Sequence, residues 1–146
     1  MDPAIEIYFD RCPGQFNADE LAILHEGWQK VASILKEIGI GKIAMLEVME
    51  FTFLNDVTMA EVHRDFLSDE TPTDVITFEH GEILIGIEVA KRQGLQFEQD
   101  FLRELALYGI HGMLHLSGFD DRTPDEAKGM KIRQEELLDV YFPIAD

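Results

Sequence analysis

The hydrophobic positions of the chain change their period several times, which predicts strands interspersed with helices. Residues 5–9 predict a short strand. Asn17 and Glu20 then form a capping box, and apolar residues recur after it at helical spacing until Gly39. These apolar residues are Leu21, Leu24, Trp28, Val31, Leu35 and Ile38. Residues 42–54 alternate between apolar and polar side chains, which predicts a second strand.

The middle of the chain predicts a helix followed by a hairpin. Thr58 and Glu61 form a second capping box before apolar residues at helical spacing. Residues 73–87 predict two strands joined by a turn at His80 and Gly81.

Two further helices are predicted in the last third of the chain. Residues 97–117 are apolar on nearly every side, which is typical of a buried central helix. Thr123, Pro124 and Glu126 open the last helix with a capping box and a proline in its first turn. Together the elements predict an α+β fold, in which helices pack on a mixed β-sheet.

Length and composition limit the class of protein. The 146 residues correspond to one domain, residues 1–146, and 46% of them are hydrophobic. The chain has no apolar run of about 18 residues and no signal-like N-terminus, so we expect a cytoplasmic protein without a membrane partner. Cys12 is the only cysteine, which excludes an internal disulfide, and it is interpreted as an incidental loop thiol.

The charge of the chain is strongly negative. Its 29 acidic and 12 basic residues give a formal net charge of −17. Such a charge opposes non-specific attraction to nucleic acid, so we expect no DNA partner, and any phosphate substrate must be captured locally.

The most informative segment is HGMLHLSGFDD, residues 111–121. His111 and His115 are four residues apart and therefore share one helix face. Gly118 allows a sharp turn after the helix, which brings Asp121 back as a third ligand. Three ligands with an open fourth position are typical of a catalytic metal site.

The segment differs from that of the metalloproteases at one position. In HExxH proteases a glutamate after the first histidine acts as general base, and here that position is Gly112. A glycine cannot accept a proton, so the usual machinery for peptide hydrolysis is absent from the predicted helix.

Four segments, in the right order, resemble the YbeY family of bacterial rRNA maturation factors. HGMLHLSGFDD is similar to the family signature HGxLHLxGxDH. The others are LNDVTMAEVHRDFLSDETPTDVITF (54–78), GEILIGIEVAKRQ (81–93) and EAKGMKIRQEELL (126–138). GEILIGIEVAKRQ resembles the strand and helix start that follow the PTDV segment of the family.

This resemblance implies a compact zincin-like α+β domain with a buried metal-binding helix and one zinc ion per chain. It implies metal-dependent cleavage of single-stranded RNA, in 16S rRNA 3′-end maturation and ribosome quality control. The implied partners are the 16S rRNA precursor and the small ribosomal subunit with its proteins.

Two residues depart from the family pattern. Asp121 stands where the family usually has a third histidine; Asp120, or no residue at all, remains an alternative for this ligand. Leu67 stands where an ungapped count places the arginine of the family. Arg64 lies one helical turn earlier and is a candidate for the missing phosphate contact, with a solvated surface residue as the alternative.

Three further residues are candidates for substrate binding. Thr73 and Asp74 match the TD pair of the family, although both also suit a turn before a strand. His63 is a possible proton shuttle or an ordinary histidine at the edge of the core.

Two other functions remain open at this point. The two departures give more weight to a metal-binding ribosome-assembly factor with weak or absent nuclease activity, as an alternative to the nuclease. A zinc hydrolase or peptidase acting on another substrate is the second alternative.

Overall fold

The computed structural model describes residues 2–10, 16–67, 73–98 and 100–144. Within these residues four strands and five α-helices follow one another, with a short 3-10 helix, Lys42–Met45, before the second strand. The strands are β1 (Ala4–Asp10), β2 (Val48–Leu54), β3 (Val75–Thr77) and β4 (Glu82–Gly86). The helices are α1 (Ala18–Ile38), α2 (Asp56–Leu67), α3 (Ile87–Gln96), α4 (Phe101–Leu116) and α5 (Pro124–Tyr141).

The strands form one mixed sheet in the order β1-β2-β4-β3, which confirms the predicted α+β fold. β1 pairs parallel to β2, and β2 pairs parallel to β4. β3 pairs antiparallel to β4 as the predicted hairpin, with Val75 opposite Ile85. Gly81 in the turn has φ +103°, a conformation that favours glycine.

Each face of the sheet is covered by a separate apolar cluster. The larger cluster contains Met49, Phe51 and Phe53 of β2 together with buried residues of α1, α4 and α5. The smaller cluster contains Leu54, Met59, Ile76 and Leu84, and α2 contributes to it. Since successive side chains of a strand point to opposite faces, the sheet is the layer between the two clusters.

The capping boxes predicted for the first and the last helix are both confirmed. Asn17 Oδ1 accepts a hydrogen bond from Glu20 N at 2.8 Å, and α1 ends at Gly39 with φ 75°. Thr123 and Glu126 form the second box, with Pro124 as the first residue of α5.

Two predicted boundaries differ from the structure. Residues 42–45 form a 3-10 helix rather than part of a strand, because Gly41 packs so closely on the end of α4 that a Cβ would lie 2.5 Å from Leu116 O. Met45, predicted on the buried side of a strand, is 83% exposed. α2 begins three residues earlier than predicted, and the predicted capping box of Thr58 and Glu61 is wrong: Asn55 Oδ1 accepts the hydrogen bond from Thr58 N, so Asn55 is the N-cap and Thr58 lies inside the helix.

The predicted helix over residues 97–117 is shorter in the structure. Asp100 Oδ1 accepts hydrogen bonds from Leu102 N and Arg103 N and so starts α4 at Phe101. Phe97 instead ends α3, a helix that the apolar pattern missed and only the family resemblance indicated. Cys12 lies outside the described residues. Among the described helices, none has the length and hydropathy that a membrane span requires.

Trp28 fixes α4 against α1. Its ring is fully buried, and its Nε1–H donates to Ala106 O, a carbonyl of α4, at 3.1 Å. A Cβ at Gly109 would lie 2.3 Å from Trp28 Nε1, so only glycine permits this approach. The helix that carries the two histidines is therefore held rigidly by the core.

Candidate metal centre

The two histidines lie at the edge of a buried helix. The α4 residues beside them, Met113 and Leu114, are fully buried. His111 and His115 are partly exposed, with side-chain exposures of 25% and 30%. Their i, i+4 spacing brings the Nε2 atoms to 3.0 Å from each other.

A tight turn follows the helix and returns the chain towards the histidines. Phe119 N donates to Leu114 O at 2.9 Å and Gly118 N donates to His115 O at 3.1 Å, which is the double hydrogen bond of a Schellman motif. Gly118 has φ +93°, as expected for the glycine of such a turn. The turn returns Asp121, whose Oδ2 lies 3.5 Å from His111 Nε2 and 3.8 Å from His115 Nε2. These three residues form a group that can hold a metal ion.

The Nδ1 atom of each imidazole has a hydrogen-bond partner, which indicates the tautomer of the ring. His115 Nδ1 lies 3.2 Å from the carbonyl oxygen of Phe119, which can only accept, so Nδ1 carries the proton. His111 Nδ1 hydrogen-bonds to Gln134 Oε1, another acceptor. In neutral imidazoles of this tautomer, both Nε2 atoms present lone pairs towards the carboxylate of Asp121. Three possible donor atoms that lie this close to one another fit a metal ion.

The two neighbouring acids have different environments. Asp121 forms the group with the histidines. Asp120 Oδ1 accepts from Asp121 N at 2.8 Å, and Asp120 Oδ2 lies 3.0 Å from Arg122 Nε. Asp120 thus stabilises the loop that presents Asp121, which favours Asp121 over Asp120 as a ligand.

Gly112 faces the sheet. It is buried, and a Cβ there would lie 2.9 Å from both Ile83 Cδ1 and Thr77 Oγ1. The position that carries the glutamate in HExxH proteases therefore has no room for a side chain here, because α4 packs closely on the β3–β4 hairpin.

The histidines open into a cleft of about 710 Å³. His111 and His115 line it together with Lys42, Arg122 and the end of α2. Lys42 Nζ is 4.0 Å from Glu79 Oε2, and Arg122 pairs with Asp120. Both basic side chains are more than half exposed. Exposed pairs of this kind are weak, so either cation can turn to an anionic ligand.

The structure places the predicted substrate residues at different distances from this cleft. Arg64 is half-exposed with its Nε 3.2 Å from Asp65 Oδ1, and neither Arg64 nor His63 is among the residues that line the cleft. Leu67, at the family's arginine position, does line it. Thr73 donates to Asp74 Oδ1 at 3.4 Å, and Asp74 lines a second cleft of about 350 Å³ that also reaches His111 and Asp121.

Two ionisable groups of the second cleft have altered acidity. Burial raises the pKa of Glu104 above its usual range. Burial, together with the nearby Glu104 carboxylate, raises the pKa of Tyr108. The phenol therefore stays protonated and hydrogen-bonds to Glu104, on the helix face that carries His111. The second cleft is acidic, which leaves the first as the better place for a phosphate.

Comparison with known proteins agrees with this architecture. A family profile described as "Endoribonuclease YbeY" matches residues 17–141. The chain belongs to the YbeY family. A protein named "Endoribonuclease YbeY" from Bacillus thuringiensis (strain Al Hakam) is 30% identical over 138 residues, covering 77% of this chain and 88% of the relative. A protein of the same name from Bacillus anthracis (strain A0248) matches equally. The YbeY resemblance noted in the sequence is thereby confirmed.

A solved structure extends the YbeY comparison to the fold. The solution structure of TM1509 from Thermotoga maritima superimposes with a TM-score of 0.62 at 25% sequence identity. It covers 92% of this chain and 89% of the Thermotoga chain. The overall fold is thus similar to that of an experimentally determined protein.

Three residues around the YbeY signature were missed by the sequence reasoning. Gln134 lies 23 positions from His111, and its segment was noticed only as family-like. Lys42 reaches the cleft from the 3-10 helix, and Arg122 reaches it from the loop between α4 and α5. No local pattern marks such residues, because the fold alone brings them together.

Proposed function

We propose that this chain is a metal-dependent endoribonuclease that cleaves single-stranded RNA. The observation that carries the proposal is the convergence of His111, His115 and Asp121, with both histidines opening into a cleft that Lys42 and Arg122 also line. Its relatives are named "Endoribonuclease YbeY", which supports RNA as the substrate. We further propose 16S rRNA 3′-end maturation and ribosome quality control as its role, with the small ribosomal subunit as partner and the cytoplasm as location.

The proposed ligands are the two Nε2 atoms and a carboxylate oxygen of Asp121, and zinc, one ion per chain, is the proposed metal. Two imidazoles and one carboxylate suit zinc, which accepts both nitrogen and oxygen ligands. When bound, such a metal supplies Lewis acidity and lowers the pKa of water at the site. The ligands can be supplied without rearrangement, since the Schellman turn and the two outer hydrogen bonds already orient them.

The remaining residues hold the substrate. Lys42 and Arg122 can turn from their exposed acidic neighbours to the phosphates on either side of the cleaved bond. Thr73, Asp74 and His63 remain proposals for substrate positioning, and Arg64 remains a proposal for a phosphate contact. We expect single strands to be preferred, because a net charge of −17 leaves little general attraction for a duplex.

Gln134→Leu is expected to weaken metal binding about 10–100-fold, the usual effect of losing the outer partner of a ligating histidine. Leucine removes the acceptor of His111 Nδ1–H, so the ring can rotate or change its tautomer. Competition with a chromogenic chelator measures the change. Gln134→Glu keeps an acceptor at this position and serves as the matched control. Equal loss in both variants would contradict the orienting role of Gln134.

Arg122→Ala and Lys42→Ala are each expected to lower kcat/KM for a single-stranded oligoribonucleotide by roughly tenfold to 150-fold. This corresponds to about 1.5–3 kcal/mol for one charge-assisted phosphate contact. Cleavage is followed on denaturing gels with zinc and with chelator, and the chelator should stop it. Arg64→Ala is the comparison: a larger loss in Arg64→Ala than in the other two would place the phosphate beside α2 instead. RNA left intact with every metal tried overturns the nuclease proposal.

A second candidate function is a metal-binding assembly factor with weak or no nuclease activity. The specific observation in its favour is that Leu67 lines the cleft at the position where the family has an arginine. A protein that binds small ribosomal subunits but leaves all RNA intact would establish this alternative. The peptidase alternative is disfavoured by the packing of Gly112.

A further inference from the structure

We propose that Phe66, Phe78 and His80 form an aromatic platform on which bases of single-stranded RNA stack as the strand enters the metal cleft. The proposal rests on the proposed function, since it assigns a subsite to the same substrate. The three rings come from the end of α2, the residue after β3 and the hairpin turn.

The rings are arranged as one continuous surface. The centroids of Phe66 and Phe78 are 5.3 Å apart with the rings edge to face, at 74°. Phe78 and His80 stack at 5.6 Å with an interplanar angle of 16°. Aromatic contacts of this kind hold each ring in place, so the platform is largely ordered before any ligand arrives.

The platform exposes more apolar surface than is usual for large hydrophobic side chains. Phe66 is 65% exposed and its neighbour Leu67 is 57% exposed. Phe78 is only half-buried, on the edge of the smaller apolar cluster. Exposing two adjacent large apolar side chains at the mouth of a cleft costs stability, and such patches usually mark a binding site.

The platform is continuous with the candidate metal centre. Phe66 and Phe78 line the same cleft as His111 and His115. Phe66, Phe78 and His80 also line a neighbouring groove of about 310 Å³. A strand whose phosphate lies at the histidines therefore has its adjoining bases within reach of the rings.

The charge distribution favours bases over other aromatic or apolar ligands at this place. Lys42 and Arg122 line the metal side of the platform together with Glu79 and Asp120, their exposed partners. Asp10 and Glu82 line the outer groove, which has no lysine or arginine among its described residues. A phosphate on the metal side can draw these cations from their weakly held partners, whereas the acids of the outer groove repel it, which favours bases over phosphates at the rings. Stacking contributes about 1–3 kcal/mol per base and needs no charge, so it suits a protein of net charge −17.

The test is binding of a fluorescein-labelled single-stranded oligoribonucleotide to the full-length protein, measured on ice by fluorescence anisotropy. Phe66→Leu keeps an apolar side chain and removes the ring, and we expect at least about fivefold weaker binding. Phe66→Trp, which again provides an aromatic ring, should restore the affinity for the oligoribonucleotide. The matched control is Phe97→Leu, another exposed phenylalanine, which lies outside both clefts and should leave affinity unchanged.

A second series separates stacking from simple apolar contact. Oligonucleotides with one abasic nucleotide are scanned along the strand, and at one position base removal should weaken wild-type binding but not that of Phe66→Leu. The salt dependence should be shallow, because two cations give a slope of only about −1.4 in the logarithm of the association constant against log salt for a single strand.

The outcomes distinguish this proposal from the nuclease proposal. Unchanged binding in Phe66→Leu, or no wild-type binding to RNA, overturns the platform, even if cleavage is metal-dependent. Ring-dependent binding of RNA that is never cleaved supports the platform and overturns the nuclease proposal. Equal losses in Phe66→Leu and Phe97→Leu would show a general effect of exposed phenylalanines and would also overturn the platform.

Discussion

His115→Ala is expected to abolish stoichiometric metal binding and, with it, RNA cleavage. The structure gives His115 two roles, since its Nε2 faces His111 and Asp121 while its Nδ1–H donates to the carbonyl of Phe119. Losing an outer partner of a ligand costs about 10–100-fold in affinity, and losing the ligand itself must cost more. We therefore expect a loss of more than about a hundredfold.

Metal content by elemental analysis and zinc affinity by calorimetry measure this effect. His25→Ala is the matched control, because His25 also bonds a backbone carbonyl, that of Ile5, but lies on α1. It should retain one metal per chain. Full occupancy in both His115→Ala and His111→Ala would contradict the assigned site.

Gly112→Glu, which restores the HExxH pattern of proteases, is expected to destabilise the protein severely and to create no peptidase. The new Cβ would meet Ile83 Cδ1 and Thr77 Oγ1 at 2.9 Å. Forcing extra atoms into a packed core costs about 1–3 kcal/mol, and a buried carboxylate without a partner adds a further penalty. Thermal unfolding measures the loss.

Gly129→Ala is the control for glycine replacement in a helix. Nothing lies within 4 Å of a Cβ at this α5 position, so alanine should stabilise the helix by about 1 kcal/mol. Gly112→Ala should show the packing cost without the charge. A stable Gly112→Glu protein that cuts peptides would show that α4 can present this side chain to the metal.

The parts of the fold that could be predicted are those encoded by neighbouring residues. The capping boxes of α1 and α5 and the β3–β4 hairpin follow from short spacings, and the structure has them. The grouping of His111, His115 and Asp121 is of the same kind, since one helix turn and one glycine turn bring them together.

The parts that could not be predicted depend on distant contacts. The 3-10 helix at Lys42–Met45 follows from the approach of Gly41 to the end of α4, which an alternating pattern of side chains does not reveal. Gln134 reaches His111 only because α5 packs on α4. The positions of Lys42 and Arg122 beside the histidines likewise require the complete fold.

The Schellman turn after α4 has a consequence for how the metal is released. All three proposed ligands lie within residues 111–121, so almost no loop-closure entropy separates the empty from the assembled site. His111 and His115 are fixed by a core helix, whereas Asp121 belongs to an exposed loop. Opening that loop is a local event with a free energy well below that of global unfolding. The rate at which the ion exchanges with solution should therefore follow the rate of amide hydrogen exchange in the loop. Core substitutions that lower the melting temperature should leave both rates unchanged.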